Sequence, residues 1–192
     1  MPAADGPAIE HAVTMLLRAA TLKSAPRTGW ALRGIAAHES VAAHSHGVAL
    51  AALALLEIVR EPLDRARVLA MAILHDLPEA VTGDLSLGAS ALLPEGVKHA
   101  MEERALADLL GPAPGAAAWR ALWTEYEARV TPEAHLVRDA DRLDLLLQAL
   151  TYEETTGNRR LDDFWRTLES EPLYFPASRS LAEALALHRR NL

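Results

Sequence analysis

The sequence has no cysteine among its 192 residues. This absence excludes disulfide bonds, thiolate metal sites and a cysteine nucleophile. Histidine, in contrast, occurs eight times. If the protein binds a metal ion, the ligands must therefore be imidazole and carboxylate groups.

Basic residues are fewer than acidic residues. The chain has 19 Lys and Arg residues against 26 Asp and Glu residues, which gives a formal net charge of −7. That balance argues against a nucleic-acid polymer or an anionic membrane as a partner. It still permits a small phosphate ligand, because a metal ion and a pair of arginines can reverse the sign of the local field.

The sequence also has no long apolar segment, and we expect no secretory leader. The longest uninterrupted apolar run covers residues 48–56, well short of the roughly 20 residues that span a bilayer. The acidic N-terminal stretch 1–10 has no basic region of the kind that begins a signal peptide. We therefore expect a soluble cytoplasmic protein that does not bind a membrane.

Helical periodicity dominates, and no segment alternates apolar and polar residues as a strand does. We predict an all-α helical bundle in one domain, residues 1–192, with its core at about 20–156. In the first helix, Val13, Leu16 and Leu17 lie on one side. The predicted helices cover residues 8–23, 40–60, 64–78, 94–110, 116–129, 132–156, 161–169 and 178–190.

The boundaries of these helices follow from residues with known end preferences. Ser40, Asp64 and Thr131 are expected N-caps, because their side-chain oxygens can accept the unpaired N–H groups of a first turn. Pro94 suits the first turn of the fourth helix. Segments 24–39 and 80–93 contain glycines and are expected to be loops.

Ionisable side chains occupy helix faces that should be apolar. His44 lies in the apolar stripe of the second helix. His75 and Glu79 lie in that of the third, with Asp76 beside them, and Asp141 lies in that of the sixth. Burying such groups is costly unless each is paired or bound to a metal ion.

Each of these residues has an ordinary structural explanation when it is taken alone. A single histidine on an apolar face is most often a hydrogen-bonded core residue, and Asp141 could pair with Arg138 or Arg142. Asp139 and Asp144 lie on the same helix, so the sixth helix does not by itself identify a ligand. The combination of His, His-Asp and Asp on three helices is much harder to attribute to chance.

The strings around these residues resemble the HD-domain metal-dependent phosphohydrolases, and within them the 5′-deoxynucleotidase group. The matching strings are ESVAAHS at 39–45, LHDLPEA at 74–80, GD at 83–84, DADRL at 139–143 and PRTGW at 26–30. The resemblance covers residues 20–156. It implies an HD-domain helical bundle that hydrolyses 2′-deoxynucleoside 5′-monophosphates and forms a homodimer.

The resemblance also implies a role for individual residues. The implied ligands of one divalent ion (Mn, Co, Fe or Zn) are His44, His75, Asp76 and Asp141. Glu79 and Asp84 are the implied catalytic carboxylates, and which is base and which acid stays open. The implied substrate-binding residues are Arg27, Trp30 and Arg33. They would contact the phosphate and sugar, with the Trp30 ring packed on the sugar or base.

Two positions depart from the family pattern. Ala43 stands where family members commonly have Glu, just before the first implied ligand, and Arg142 replaces a frequent Lys. Neither change removes an implied ligand. Ala43 does put in doubt a supporting carboxylate near the metal ion, of the kind that orients a ligand.

Three further functions stay open. The chain could be an HD-domain phosphatase for another phosphorylated metabolite, or a catalytically silent nucleotide-binding protein. It could also be a di-iron oxygenase, which needs extra histidine ligands, and His99 and His135 lie in the right interval. A pure binding protein has no need of Glu79. The expected partner is thus a small nucleoside monophosphate and not a nucleic acid.

Overall fold

The computed structural model describes residues 6–192. Within that range the regular structure is helical except for one isolated antiparallel bridge between Pro26 and Ser40. The predicted all-α fold is confirmed. The first half of the acidic N-terminal stretch, residues 1–5, lies outside the described residues.

The observed helices follow most of the predicted segments. They are α1 (Gly6–Ala19), a 3₁₀ turn (Ala20–Lys23), α2 (Thr28–Ala31), α3 (Val41–Ile58), α4 (Arg65–Leu74), α5 (Glu79–Thr82), α6 (Leu87–Ser90), α7 (Val97–Leu110), α8 (Ala116–Ala128), α9 (Pro132–Thr156), α10 (Asp162–Ser170) and α11 (Pro176–Arg190). The expected loops 24–39 and 80–93 therefore carry the short helices α2, α5 and α6.

The chain folds as two compact units. Unit 1 comprises the described residues up to Ala43 together with Leu74–Thr124, and unit 2 comprises His44–Ile73 and Glu125–Leu192. The boundaries between them fall within α3, α4 and α8.

Unit 1 is built from α1, α5 and α7, which pack against one another. Its buried core residues are Met15, Leu22, Val41, Leu74, Leu77, Leu106, Leu109, Leu110, Ala113 and Trp123. Leu74 and Leu77 flank the sequence His75-Asp76. Since both leucines are buried in this core, the segment between them is anchored at each end.

Unit 2 is organised around α9, against which α10 and α11 pack. The late aromatic residues Phe164, Trp165 and Phe175 are buried. Asp139 on α9 accepts the backbone N–H groups of Tyr174 and Phe175 at 2.8 and 2.9 Å, which ties the chain just before α11 to α9. The acidic residues of α9 are therefore held on a helix against which both α10 and α11 pack.

Three of the predicted N-caps are confirmed, and one predicted helix start is wrong. At Ser40, Asp64 and Thr131 the side-chain oxygen accepts the N–H three residues later at 3.1–3.2 Å, as predicted. The predicted start of the fourth helix near Pro94 is wrong, because α7 begins only after Gly96. That glycine has φ 77°, a left-handed conformation that a helix cannot include.

The first helix turns an unexpected face inward. Val13, Leu16 and Leu17 are exposed at 49%, 61% and 70%, and Met15 is the buried residue of α1. The apolar side that the periodicity identifies is therefore not the buried side.

α3 is a long, strongly apolar helix. Its 18 residues have a mean hydropathy of 1.5, which is enough, by length and composition alone, for a membrane span. Core helices of soluble proteins pass the same test. Its buried residues repeat every three or four positions, as they do in a helix packed along one face. They are Val41, His44, Val48, Ala52 and Leu55.

The Thr131 cap gives a test of these helix-end assignments. Replacing Thr131 with Ala removes the acceptor for the Ala134 N–H and the hydroxyl that donates to Glu125. We expect a loss of about 1 kcal/mol in the free energy of unfolding, measured by urea denaturation. The control is Thr151→Ala, an exposed mid-helix threonine that bonds only within α9. Equal stability of the two variants would contradict the assignment.

Candidate active site

The His75-Asp76 pair lies in a turn. α4 ends at Leu74, so the predicted continuation of the third helix to residue 78 is wrong. Consecutive residues of a helix point about 100° apart. In the turn, the His75 Nε2 and Asp76 Oδ2 atoms are only 3.3 Å apart. The helix end thus brings a nitrogen donor and an oxygen donor together.

Trp123 supports the beginning of this turn. Its indole N–H donates to the backbone carbonyl of His75 at 3.1 Å, and the tryptophan is 1% exposed. The ring of His99 stacks on it with centroids 5.3 Å apart. Sequence reasoning did not identify Trp123 as part of the site. No local pattern could have done so, because the bond joins residues 48 positions apart.

Glu79 follows the turn as the first residue of α5 and is 7% exposed. Within the described part of the chain, its Oε2 atom has no hydrogen-bond partner. Burial raises the pKa of Glu79 to about 9, helped by the charges of Asp76 and Asp84 and opposed by Arg27 and Lys98. Without a bound cation, this carboxyl group is protonated at neutral pH.

Asp84 binds the segment at the start of α2, where Arg27 and Thr28 lie. Its Oδ1 atom accepts from the Arg27 guanidinium at 2.9 Å, and its Oδ2 accepts from the backbone N–H of Thr28 at 2.6 Å and from the Thr28 hydroxyl. The same Arg27 nitrogen lies 3.4 Å from Asp76 Oδ2. Arg27, Asp76 and Asp84 therefore form one charged cluster within unit 1.

The other two residues implied in substrate binding lie in the same segment. Trp30 is 1% exposed, and its indole N–H donates to Glu39 at 2.9 Å. Its ring is thus enclosed by protein in this structure. The guanidinium of Arg33 donates to the carbonyl of Gly29 at 2.8 Å. Both interactions fix the conformation of the loop that carries Arg27.

His44, on α3, meets two aspartates of α9 with its two ring nitrogens. Nδ1 is 2.8 Å from Asp144 Oδ2, and Nε2 is 3.3 Å from Asp141 Oδ1. Gly47, three residues after His44, lies against the Asp144 carboxylate. Sequence reasoning left Asp144 as one of several acidic residues on its helix. The three-residue spacing places Asp144 beside Asp141 on α9, and this spacing was the signal that could have identified Asp144 as part of the site.

The second oxygen of Asp141 is also engaged. Oδ2 accepts from the Arg138 guanidinium at 2.8 Å and from the Tyr126 hydroxyl at 3.3 Å. Of the two sequence alternatives, Arg138 is thus the ion-pair partner, and Arg142 instead donates to a backbone carbonyl of α10. Burial lowers the pKa of Arg138, but the charges of Asp141 and Tyr126 raise it, and the net change is upward.

The donor types found in each unit are those that bind divalent transition-metal ions. His44, His75 and Asp141 each offer an atom of the kind that binds one. In unit 1 and again in unit 2, an imidazole Nε2 lies 3.3 Å from an aspartate oxygen. A set of nitrogen and carboxylate oxygen donors suits Mn, Co, Fe or Zn better than an ion that prefers oxygen alone.

Comparison with known families agrees with this chemistry. The sequence model of the HD domain family matches residues 19–171. The 5′-deoxynucleotidase HDDC2 of Danio rerio is 34% identical over 173 residues, which cover 87% of this chain and 84% of that protein.

Two solved structures are similar to this one. A conserved hypothetical protein of Pyrococcus furiosus is 38% identical with a TM-score of 0.78, and the match covers 94% of this chain and 99% of that one. A predicted metal-dependent phosphohydrolase of Magnetospirillum magnetotacticum MS-1 is 28% identical with a TM-score of 0.73, covering 97% and 96%.

The raised pKa of Glu79 predicts a pH-dependent stability of the metal-free protein. The folded state holds a proton that the unfolded state releases above its ordinary pKa of 4.5. The contribution of Glu79 to stability is therefore full below pH 4.5 and falls as the pH rises toward about 9. Glu79→Gln, which cannot ionise, removes this loss.

We expect the unfolding free energies of wild type and Glu79→Gln to be similar at low pH. At pH 8 the variant should be the more stable. Urea denaturation in excess chelator measures both. The control is Glu103→Gln, an exposed glutamate of α7, which should follow the wild-type profile. Parallel profiles of wild type and Glu79→Gln would show that Glu79 does not retain its proton on folding.

Proposed function

Because the chain belongs to the HD domain family, we propose that it is a metal-dependent phosphohydrolase of 2′-deoxynucleoside 5′-monophosphates. One observation carries the proposal: the family's complete His, His-Asp and Asp set is present in a chain whose relatives are named 5′-deoxynucleotidases. In the reaction, water adds to phosphorus and the bond to the 5′-oxygen breaks. The products are inorganic phosphate and a nucleoside.

The proposed ligands of a single divalent ion are His44, His75, Asp76 and Asp141. Support comes from their donor chemistry and from the burial of both imidazoles, whose side chains are each 1% exposed. When bound, such an ion supplies Lewis-acid stabilisation of the phosphoryl group and activation of water. Manganese, cobalt, iron and zinc are all compatible with the donors.

The remaining site residues act on the phosphate and on protons. We assign phosphate binding to Arg27 and Arg33, since guanidinium groups match phosphate oxygens in pairs. Asp84 orients Arg27 through its ion pair. Glu79 is the better candidate for moving a proton, because Asp84 already accepts hydrogen bonds with both oxygens. Trp30 keeps the Arg27 loop ordered through Glu39.

The comparisons favour this function over the other three. Named relatives are 5′-deoxynucleotidases and not oxygenases or binding proteins. The two histidines that a di-iron site could recruit both stack on aromatic rings. His99 stacks on Trp123, and His135 stacks on Tyr174 with centroids 3.9 Å apart.

Domain organisation, assembly and location are proposed in the same way. We propose one HD domain over residues 1–192, supported by the continuous family match over 19–171. The homodimer and the cytoplasmic location stay predictions. Light scattering of the purified protein tests the first, and cell fractionation tests the second.

A mononucleotide screen tests the reaction. We expect the purified protein, supplied with Mn²⁺ or Co²⁺, to release phosphate from 2′-deoxynucleoside 5′-monophosphates, and to lose this activity in excess chelator. Ribonucleotides and unrelated phosphorylated metabolites are the comparison substrates. Absence of phosphate release from every deoxynucleotide would falsify the proposed function.

Removal of one proposed ligand tests the metal assignment. We expect His75→Ala and the isosteric Asp76→Asn to lose both the bound ion and the activity, because the first removes one donor of four and the second replaces an anionic donor with a neutral one. Metal content per chain and phosphate release are the measurements. His46→Ala is the matched control, since this exposed histidine of α3 is two residues from His44. Full activity in Asp76→Asn would reject the assignment.

A further inference from the structure

Two aspartates of α9, three residues apart, face the two nitrogens of His44. The Asp144 contact to Nδ1 is 2.8 Å, whereas the Asp141 contact to Nε2 is 3.3 Å. Only the first lies inside the ordinary range of an N–H···O hydrogen bond. Asp144 is therefore the closer hydrogen-bond partner of the His44 ring.

The closer contact determines which nitrogen of His44 carries the proton. A neutral imidazole carries one N–H, and an ionised carboxylate can only accept. Pairing with Asp144 places the proton on Nδ1 of His44. The lone pair is then on Nε2, the nitrogen that faces the proposed ligand Asp141. Metal-binding histidines are usually oriented by a carboxylate or carbonyl in this way.

Gly47, on α3, packs against the Asp144 carboxylate. A Cβ atom built on Gly47 would lie 2.1 Å from Asp144 Oδ1 and 2.7 Å from its Cγ. Gly47 sits inside α3 and needs no left-handed backbone conformation. Glycine is also destabilising inside a helix relative to alanine. Close approach of the Asp144 carboxylate is thus the reason for glycine at this position.

Ala43 makes the role of Asp144 more important. The residue before His44 has no carboxylate to offer, whereas Asp144 offers one from another helix. Asp144 reaches the ring across 100 positions of sequence. It does so one turn along α9 from Asp141, and both aspartates meet the same imidazole.

We propose that Asp144 is a positioning residue that fixes the Nδ1–H tautomer of His44, in a space that Gly47 leaves open. The proposal rests on the proposed function only through the assignment of His44 as a metal ligand. It assigns Asp144 no contact with substrate and no place among the four ligands.

Metal affinity is the first test. We expect Asp144→Ala to weaken Co²⁺ binding by about 10- to 100-fold, measured by competition with a chromogenic chelator. Asp144→Asn should lose less, because its amide oxygen can still accept from Nδ1–H. Asp139→Asn is the control, a buried carboxylate of the same helix that bonds only to backbone N–H groups. It should lower the melting temperature and leave Co²⁺ affinity unchanged.

A double-mutant cycle separates positioning from general damage to the fold. Gly47→Ala should also weaken Co²⁺ binding, because its methyl group displaces the Asp144 carboxylate. In an Asp144→Ala background the same change should cost no further affinity. Gly88→Ala is the control, since a Cβ atom there meets nothing within 4 Å. Wild-type affinity in Asp144→Ala, or additive losses in the double variant, overturns the proposal.

The tautomer can be observed without any metal ion. Two-bond ¹H–¹⁵N correlation spectra of the metal-free protein at pH 8, assigned with His44→Gln, should show the Nδ1–H form of His44. Asp144→Ala should shift this pattern toward Nε2–H. An Nε2–H form in wild type overturns the proposal. If wild type shows Nδ1–H but binds no Co²⁺, the proposed function fails while the proton placement stands.

Discussion

Burial of ionisable side chains is the constraint on which the arrangement of this protein depends. His44, His75 and Glu79 are all removed from water, each less than 10% exposed. Such groups destabilise a fold unless hydrogen bonds, opposite charges or a cation compensate them. Much of the surrounding structure provides that compensation, from the Asp144 carboxylate at His44 to the Trp123 indole at the carbonyl of His75.

Helix geometry decides how these groups reach one another. A continuous helix from 64 to 78 would have directed His75 and Asp76 apart. Termination at Leu74 brings them to 3.3 Å. On α9 the helix stays intact, and its regular spacing is what places Asp141 and Asp144 at the two nitrogens of one ring. The same donor types are thus assembled by a broken helix in one unit and by an unbroken helix in the other.

The acidic balance of the chain does not by itself exclude a phosphate substrate, because arginines lie among the carboxylates in each unit. Arg27 lies within 3.4 Å of both Asp76 and Asp84, so its cation is fixed by carboxylates. Arg138 plays a similar part for Asp141. Local fields of this kind decide ligand binding at a small site, whereas a net charge of −7 acts on large partners such as nucleic acids.

The amino-acid sequence by itself determined the all-α class, most of the helix ranges, three of the N-caps and the burial of His44, His75 and Glu79. These follow from periodicity and end signals, which act over a few neighbouring residues. Tertiary structure alone decided that Arg138 and not Arg142 pairs with Asp141, that Asp144 supports His44, and that the apolar side of α1 faces outward. Periodicity shows which residues share a face, but not which distant segment packs against that face. The partners of His44 and His75 lie 100 and 48 residues away, so only the folded chain could identify them.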